Sequence, residues 1–159
     1  YLNNKASLSN IPLKDRKDRR GNGKVIFTQC EIISTNPKAF KLKLHYLNKT
    51  NKEYENIKIS VGIQDKNNLN LSNITNSTQN QKINLSKKEG VINLEINNVN
   101  LITGQYYLSL FLATDETNSE IFDWVSNAIQ IDIANNNFYS TGKLPPANNP
   151  VLLNFKYEN

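Results

Sequence analysis

The chain has 159 residues with 28 Asn, 6 Gly, no Met, one Cys and one His, and its formal net charge is +5. One Cys (Cys30) excludes an internal disulfide framework, and one Cys with one His (His45) is too few for a Cys/His zinc site, which takes about four ligands. No stretch approaches the roughly 18 consecutive apolar residues of a membrane span, and the opening YLNNKASLSN lacks the layout of a signal peptide.

In chain order, the first feature is the run Lys14-Asp-Arg-Lys-Asp-Arg-Arg20, which holds five basic and two acidic residues and all three arginines. The rest of the chain is only +2, so the basic balance does not describe a nucleic-acid face with interleaved aromatics. Residues 1–23 therefore read as a solvated polar and basic linker from an upstream domain. The missing Met fits a segment cut from a longer protein.

From residue 24 onward the hydrophobic period is two. Lys24 to Ile33 reads as a strand, followed by Phe40, Leu42, Leu44 and Tyr46 alternating with Lys41, Lys43 and His45. Ile57, Ile59, Val61 and Ile63 alternate next, then Ile92, Leu94 and Ile96. Tyr106, Leu108, Leu110 and Leu112 follow, then Ile129, Ile131 and Ile133, and Val151 to Tyr157 reads as a last strand. Such alternation marks strands with one face in a core and the other in water. Asn-rich clusters separate them, and Asn tolerates the left-handed backbone region, so it can replace Gly at turns. The expected fold over residues 24–159 is a single all-β domain, an immunoglobulin-like antiparallel β-sandwich of seven or eight strands; a small barrel is the alternative.

The motifs that could carry chemistry are weak. Five Asn-x-Ser/Thr sequons, at Asn48, Asn70, Asn73, Asn76 and Asn84, are close to the number that chance pairing gives in so Asn-rich a chain. The acidic stretch Asp115, Glu116, Glu120 and Asp123 has neither calcium-loop spacing nor an evident catalytic pairing, and reads as a solvated loop. His45 sits with lysines on a polar strand face, Cys30 reads as a small core residue, and no phosphate-binding glycine loop occurs. No enzyme activity and no cofactor are expected.

One polar face is less ordinary. With Leu108, Leu110 and Leu112 turned inward, Tyr107, Ser109 and Phe111 turn outward on the same strand. Ser60 and Gln64, and Gln130 and Asp132, occupy outward positions on the neighbouring candidate strands. Aromatic rings beside hydroxyl, amide and carboxylate groups suit a sugar, whose C–H faces stack on rings while its hydroxyls exchange hydrogen bonds. The candidate carbohydrate platform is thus Tyr107 and Phe111, flanked by Ser60, Gln64, Ser109, Gln130 and Asp132; cover by another strand, the leading segment or a second subunit is the competing use of this face.

Four blocks resemble one family in the same order. They are Arg19-Arg-Gly-Asn-Gly-Lys-Val-Ile-Phe-Thr28, Gly104-Gln-Tyr-Tyr-Leu-Ser-Leu-Phe-Leu112, Phe122-Asp-Trp-Val-Ser-Asn-Ala-Ile-Gln-Ile-Asp132, and Phe138-Tyr-Ser-Thr-Gly-Lys-Leu-Pro-Pro146 leading to Pro150-Val-Leu-Leu153. Together they are similar to the C-terminal domain of Wzt-type ATP-binding subunits of polysaccharide (O-antigen) ABC exporters. Lys24 departs from the acid common in the first block, and Asn149 from the Gly that often precedes the last strand. The resemblance implies a cytoplasmic β-sandwich at the inner face of the bacterial inner membrane, behind a nucleotide-binding domain and beside a transmembrane permease. It implies recognition of lipid-linked polysaccharide before export, and a homodimer formed through C-terminal strands. A purely structural dimerisation module, or a secreted sugar-binding adhesin, would be the alternatives.

Overall fold

In the computed structural model, which describes residues 7–115 and 119–159, seven strands form two antiparallel sheets. They are β1 (Val25–Ser34), β2 (Ala39–Asn48), β3 (Ile57–Gln64), β4 (Asn70–Thr75), β5 (Glu89–Asn97), β6 (Gly104–Thr114) and β7 (Ile121–Ile133). One sheet runs β1-β2-β5 and the other β4-β3-β6-β7, so β1–β2, β3–β4 and β6–β7 are hairpins and the other three connections cross between sheets, in the Greek-key order of an immunoglobulin-like sandwich.

The alternating residues make the core. Phe40, Leu42 and Leu44 of β2 are shut away from solvent, as are Ile57 and Val61 of β3 and Leu108, Leu110 and Leu112 of β6. Ile92, Leu94 and Ile96 pack on this core from β5 while remaining partly exposed, because β5 is an edge strand. Tyr106 closes one corner: its buried hydroxyl donates to the Ile102 carbonyl four residues earlier, at 2.6 Å. This is the corner bond that fixes the chain's turn into the corresponding strand of immunoglobulin-like sandwiches.

Asn performs the turn role its abundance suggested. Asn51, Asn56, Asn68, Asn80, Asn98 and Asn127 all adopt positive φ, the region that otherwise favours Gly.

Three expectations are corrected. β7 begins at Ile121, eight residues before its clean alternation, because its register against β6 shifts between Leu108 and Leu110 and again between Leu112 and Ala113. β4 was not expected at all: its burial pattern is mostly exposed, so it carries too few apolar positions to be read. Val151 to Tyr157 is not a strand; Val151 makes an isolated bridge to Leu101, and Leu152 is buried, but the chain beyond it pairs with nothing in ladder fashion among the described residues.

The leading segment is the largest correction. Its described part, residues 7–23, is anchored to the sandwich instead of running free as a linker. A single 3-10 turn, Leu13–Asp15, places Leu13 in the core, and residues 20–23 then run along the outer edge of β7. Arg20 exchanges both main-chain hydrogen bonds with Trp124, at 2.9 and 2.8 Å, and Gly23 donates to the Phe122 carbonyl at 2.9 Å. Gly21 (φ +107°) allows this approach, since a Cβ there would lie 2.6 Å from the Phe122 carbonyl oxygen.

Two of the three arginines lock the arm down. The Arg16 side chain is fully buried and donates to the Ser126 and Asn127 carbonyls at 2.8 and 2.9 Å. Those carbonyls lie where β7 bulges away from β6 around the left-handed Asn127, so a side chain supplies the bonds that the ladder no longer makes. Asp18 accepts two bonds from the same guanidinium, at 2.6 and 2.7 Å, and Arg19 pairs with Asp123 at 2.9 Å.

Candidate functional site: an outward groove on the longer sheet

The outer face of β4-β3-β6-β7 carries an open groove of about 860 Å³. Its position follows from cross-strand register. Thr75 pairs with Ser60, Ser60 with Phe111, Phe111 with Trp124, and Trp124 with Arg20. Since directly paired residues share a sheet face, these five side chains form one row that crosses four strands and ends on the leading arm. A second row places Gly62 between Asn73 and Ser109. Gly62 contributes no side chain, and this deepens the floor beside the rings.

The row is graded in chemistry. At one end the Ser60 and Thr75 hydroxyls hydrogen-bond each other at 2.8 Å, and Ser72, Ser77, Thr78 and Asn73 add further hydroxyl and amide groups to the lining. Gln64 donates to the Asn70 side-chain carbonyl at 2.6 Å along the same wall. At the other end Phe111 and Trp124 meet edge to face, with centroids 5.8 Å apart. Arg20 lies over the Trp124 ring with its guanidinium carbon 3.9 Å from the centroid. Ser109 Oγ, on the floor, is buried and has no hydrogen-bond partner among the described residues.

Of the residues marked in the sequence, Phe111, Ser109, Ser60 and Gln64 line this groove. Tyr107 faces the same side but is only 6% exposed, with its hydroxyl 3.5 Å from the Gln130 side-chain oxygen. Gln130 is its cross-strand partner and exposed Asp132 pairs with Gln105, so both stand further along β7, outside the groove. Trp124 and Arg20, together with Thr75 and its neighbours on the β4 side, are groove residues that sequence reading missed. Carrying the alternation of β7 back from Ile129 would have turned Trp124 outward. Arg20 had no such signal, because its place depends on the arm docking against β7.

The acidic stretch does not converge on a site. Glu120 pairs with Lys24 and accepts from Asn22, and Asp115 is exposed; Glu116 lies outside the described residues. Asp123 is fully buried, accepting from the Phe27 amide at 2.8 Å and from Arg19, while its other oxygen has no partner among the described residues. Burial pushes this carboxyl above the usual aspartate range, and the Phe27 amide and Arg19 oppose the shift. Cys30 is buried, and its thiol is pushed up to about 12 by desolvation, which removes the thiolate needed of a nucleophile. His45 meets Glu31 across the β1–β2 pair at 3.2 Å. Among the described residues no three His, Cys, Asp or Glu side chains are grouped as metal ligands.

Fold and groove together define an immunoglobulin-like sandwich whose longer sheet carries an open, polar and aromatic-walled face. A family model for the Wzt C-terminal domain matches residues 16–144, and the chain belongs to that family. Membership connects it to the ABC transporters of polysaccharide export. A crystal structure of the C-terminal domain of Wzt superposes with a TM-score of 0.68, covering 91% of this chain and 90% of that one at 14% identity, a likeness of fold. No curated protein sequence matches the chain. The matched span starts at Arg16, consistent with an arm that is part of the folded unit. No helix among the described residues is long and apolar enough to cross a membrane.

Proposed function

We propose that the chain is a non-catalytic carbohydrate-binding domain of a polysaccharide exporter's ATP-binding subunit, and that the groove holds a segment of the lipid-linked glycan before export. The observation that carries this reading is the row Thr75–Ser60–Phe111–Trp124, where hydroxyls and two edge-to-face rings stand on one open face. Rings take the C–H faces of a pyranose, and hydroxyl and amide groups take its oxygens. In this reading the nucleotide-binding domain lies upstream in the same protein, a permease lies alongside, and the domain works at the inner face of the bacterial inner membrane. Tyr107, Gln130 and Asp132 would form an outer subsite further along β7.

The test is titration with the polysaccharide of the producing strain. Trp124→Ala and Phe111→Ala should each lower affinity at least tenfold while the thermal transition stays cooperative. Unchanged affinity in both variants would remove the groove from the proposal.

A second role is supported by the C-terminal tail. Leu153, Phe155 and Tyr157 alternate and are 66%, 68% and 91% exposed, which is unusual for large apolar side chains spaced as a strand. We propose that this tail pairs with a second copy of the chain to give a homodimer, raising avidity for a repeating glycan. Purely structural dimerisation is the alternative function; a chain that dimerises through the tail yet binds no glycan would establish it. Truncation after Leu152 should give a monomer by sedimentation.

A further inference from the structure

We propose that the groove selects an acidic glycan, whose carboxylate or phosphate is taken by Arg20 with help from Lys58. This inference rests on the carbohydrate-binding reading and adds the class of sugar.

Arg16 spends its donors on Asp18 and on the carbonyls of Leu8, Ser126 and Asn127. Arg19 spends its donors on Asp123 and on the carbonyls of Leu13, Arg16 and Phe27. The Arg20 guanidinium is different: among the described residues it has no hydrogen bond and no ion pair, and the residue is exposed. It is nevertheless held in place. Two main-chain bonds to Trp124 fix its backbone, and the contact of its guanidinium with the indole face, 3.9 Å from the ring centroid, holds the side chain over the groove wall. A guanidinium in such a contact keeps N–H donors available, and its fork matches a carboxylate or phosphate in a bidentate manner.

Charge inventory points the same way. Lys58 lines the groove as well, and also lacks an ion pair among the described residues. Among the described residues no Asp or Glu lines the groove. A neutral sugar would need only the rings and hydroxyls, whereas two cations in an acid-free groove are complementary to a negative charge carried by the ligand. Uronate-type carboxylates and phosphate esters share this chemistry.

A bacterial glycan array with neutral, uronate-bearing and phosphate-bearing fragments, followed by titration on Trp124 fluorescence, tests the proposal. Trp124 is the single Trp of the chain and lies under Arg20, so its emission reports this site alone. Acidic fragments of one or both kinds should bind at least tenfold more tightly than neutral ones, with affinity falling as salt rises. Arg20→Gln should abolish the preference for acidic over neutral fragments, and Arg20→Lys should restore it in part. Equal binding of neutral and acidic fragments would overturn acid selection and leave the carbohydrate reading standing. Inorganic phosphate competing as well as a sugar phosphate would uphold an anion site and overturn the carbohydrate reading. Silence across the array would overturn both.

Discussion

Arg19 and Asp123 form an ion pair 2.9 Å long in which the aspartate is wholly excluded from solvent, and their successors, Arg20 and Trp124, stack to form one wall of the groove. The same two-residue steps that fasten the leading arm to β7 thus build the candidate site. An arm that detached from β7 would take Arg20 with it.

Removing the carboxylate should test how strongly this fastening holds. Asp123→Ala leaves Arg19 without its counter-ion and the Phe27 amide without its acceptor, and is expected to cost about 3–5 kcal/mol in urea unfolding. Asp123→Asn should cost clearly less. The amide oxygen can still accept from Phe27, and the buried negative charge, which the fold disfavours, is gone.

The second fastening depends on pH. The Arg16 guanidinium holds Asp18 below the usual aspartate range, chiefly through its side-chain hydrogen bonds. A carboxyl depressed in the folded state contributes stability above its unfolded value of 3.8, and loses it as pH falls through the lower folded value. Since the Asp18 side chain is 42% exposed, solvent screening keeps the effect under about 1 kcal/mol. Asp18→Asn should therefore be slightly less stable than the parent at pH 7, and equal to it once the pH is well below 3.8. A difference that persists in strong acid would contradict the assignment.

Gly21→Ala should undock the arm without unfolding the sandwich. The new Cβ would meet the Phe122 carbonyl in a backbone conformation that already disfavours a side chain. The expected loss is about 1–3 kcal/mol, accompanied by a change in Trp124 emission as Arg20 leaves the indole.

Cys30 should be silent in the folded protein. With its thiol pushed up to about 12, almost none is ionised at pH 8, and the residue is buried in β1. A thiol-reactive dye is expected to label it only in denaturant; labelling at the rate of a free peptide thiol would show that β1 opens locally.

How much of this was legible beforehand can be traced residue by residue. Tyr106, Leu108, Leu110 and Leu112 announced β6 because half-buried strands must alternate, and the outward place of Phe111 followed from the same geometry. Asn51, Asn56 and Asn68 could be read as turn residues from their local chemistry alone. β4 was invisible because a mostly exposed strand has no core face to reveal it. Tyr107 was misjudged as accessible because periodicity sets the side a residue faces, not what lies over it.

The sequence by itself determined an all-β sandwich, its alternating core and one outward aromatic, since period-two patterning and turn chemistry act between near neighbours. Only the tertiary structure decided that Lys14 to Arg20 is a docked arm and that Asp123 is its buried anchor. It likewise set Arg20, Trp124, Phe111 and Ser60 in a single row. Those relationships join residues up to about a hundred positions apart. They depend on where a β-bulge exposes carbonyls and which strand edge is open, and no local pattern encodes that.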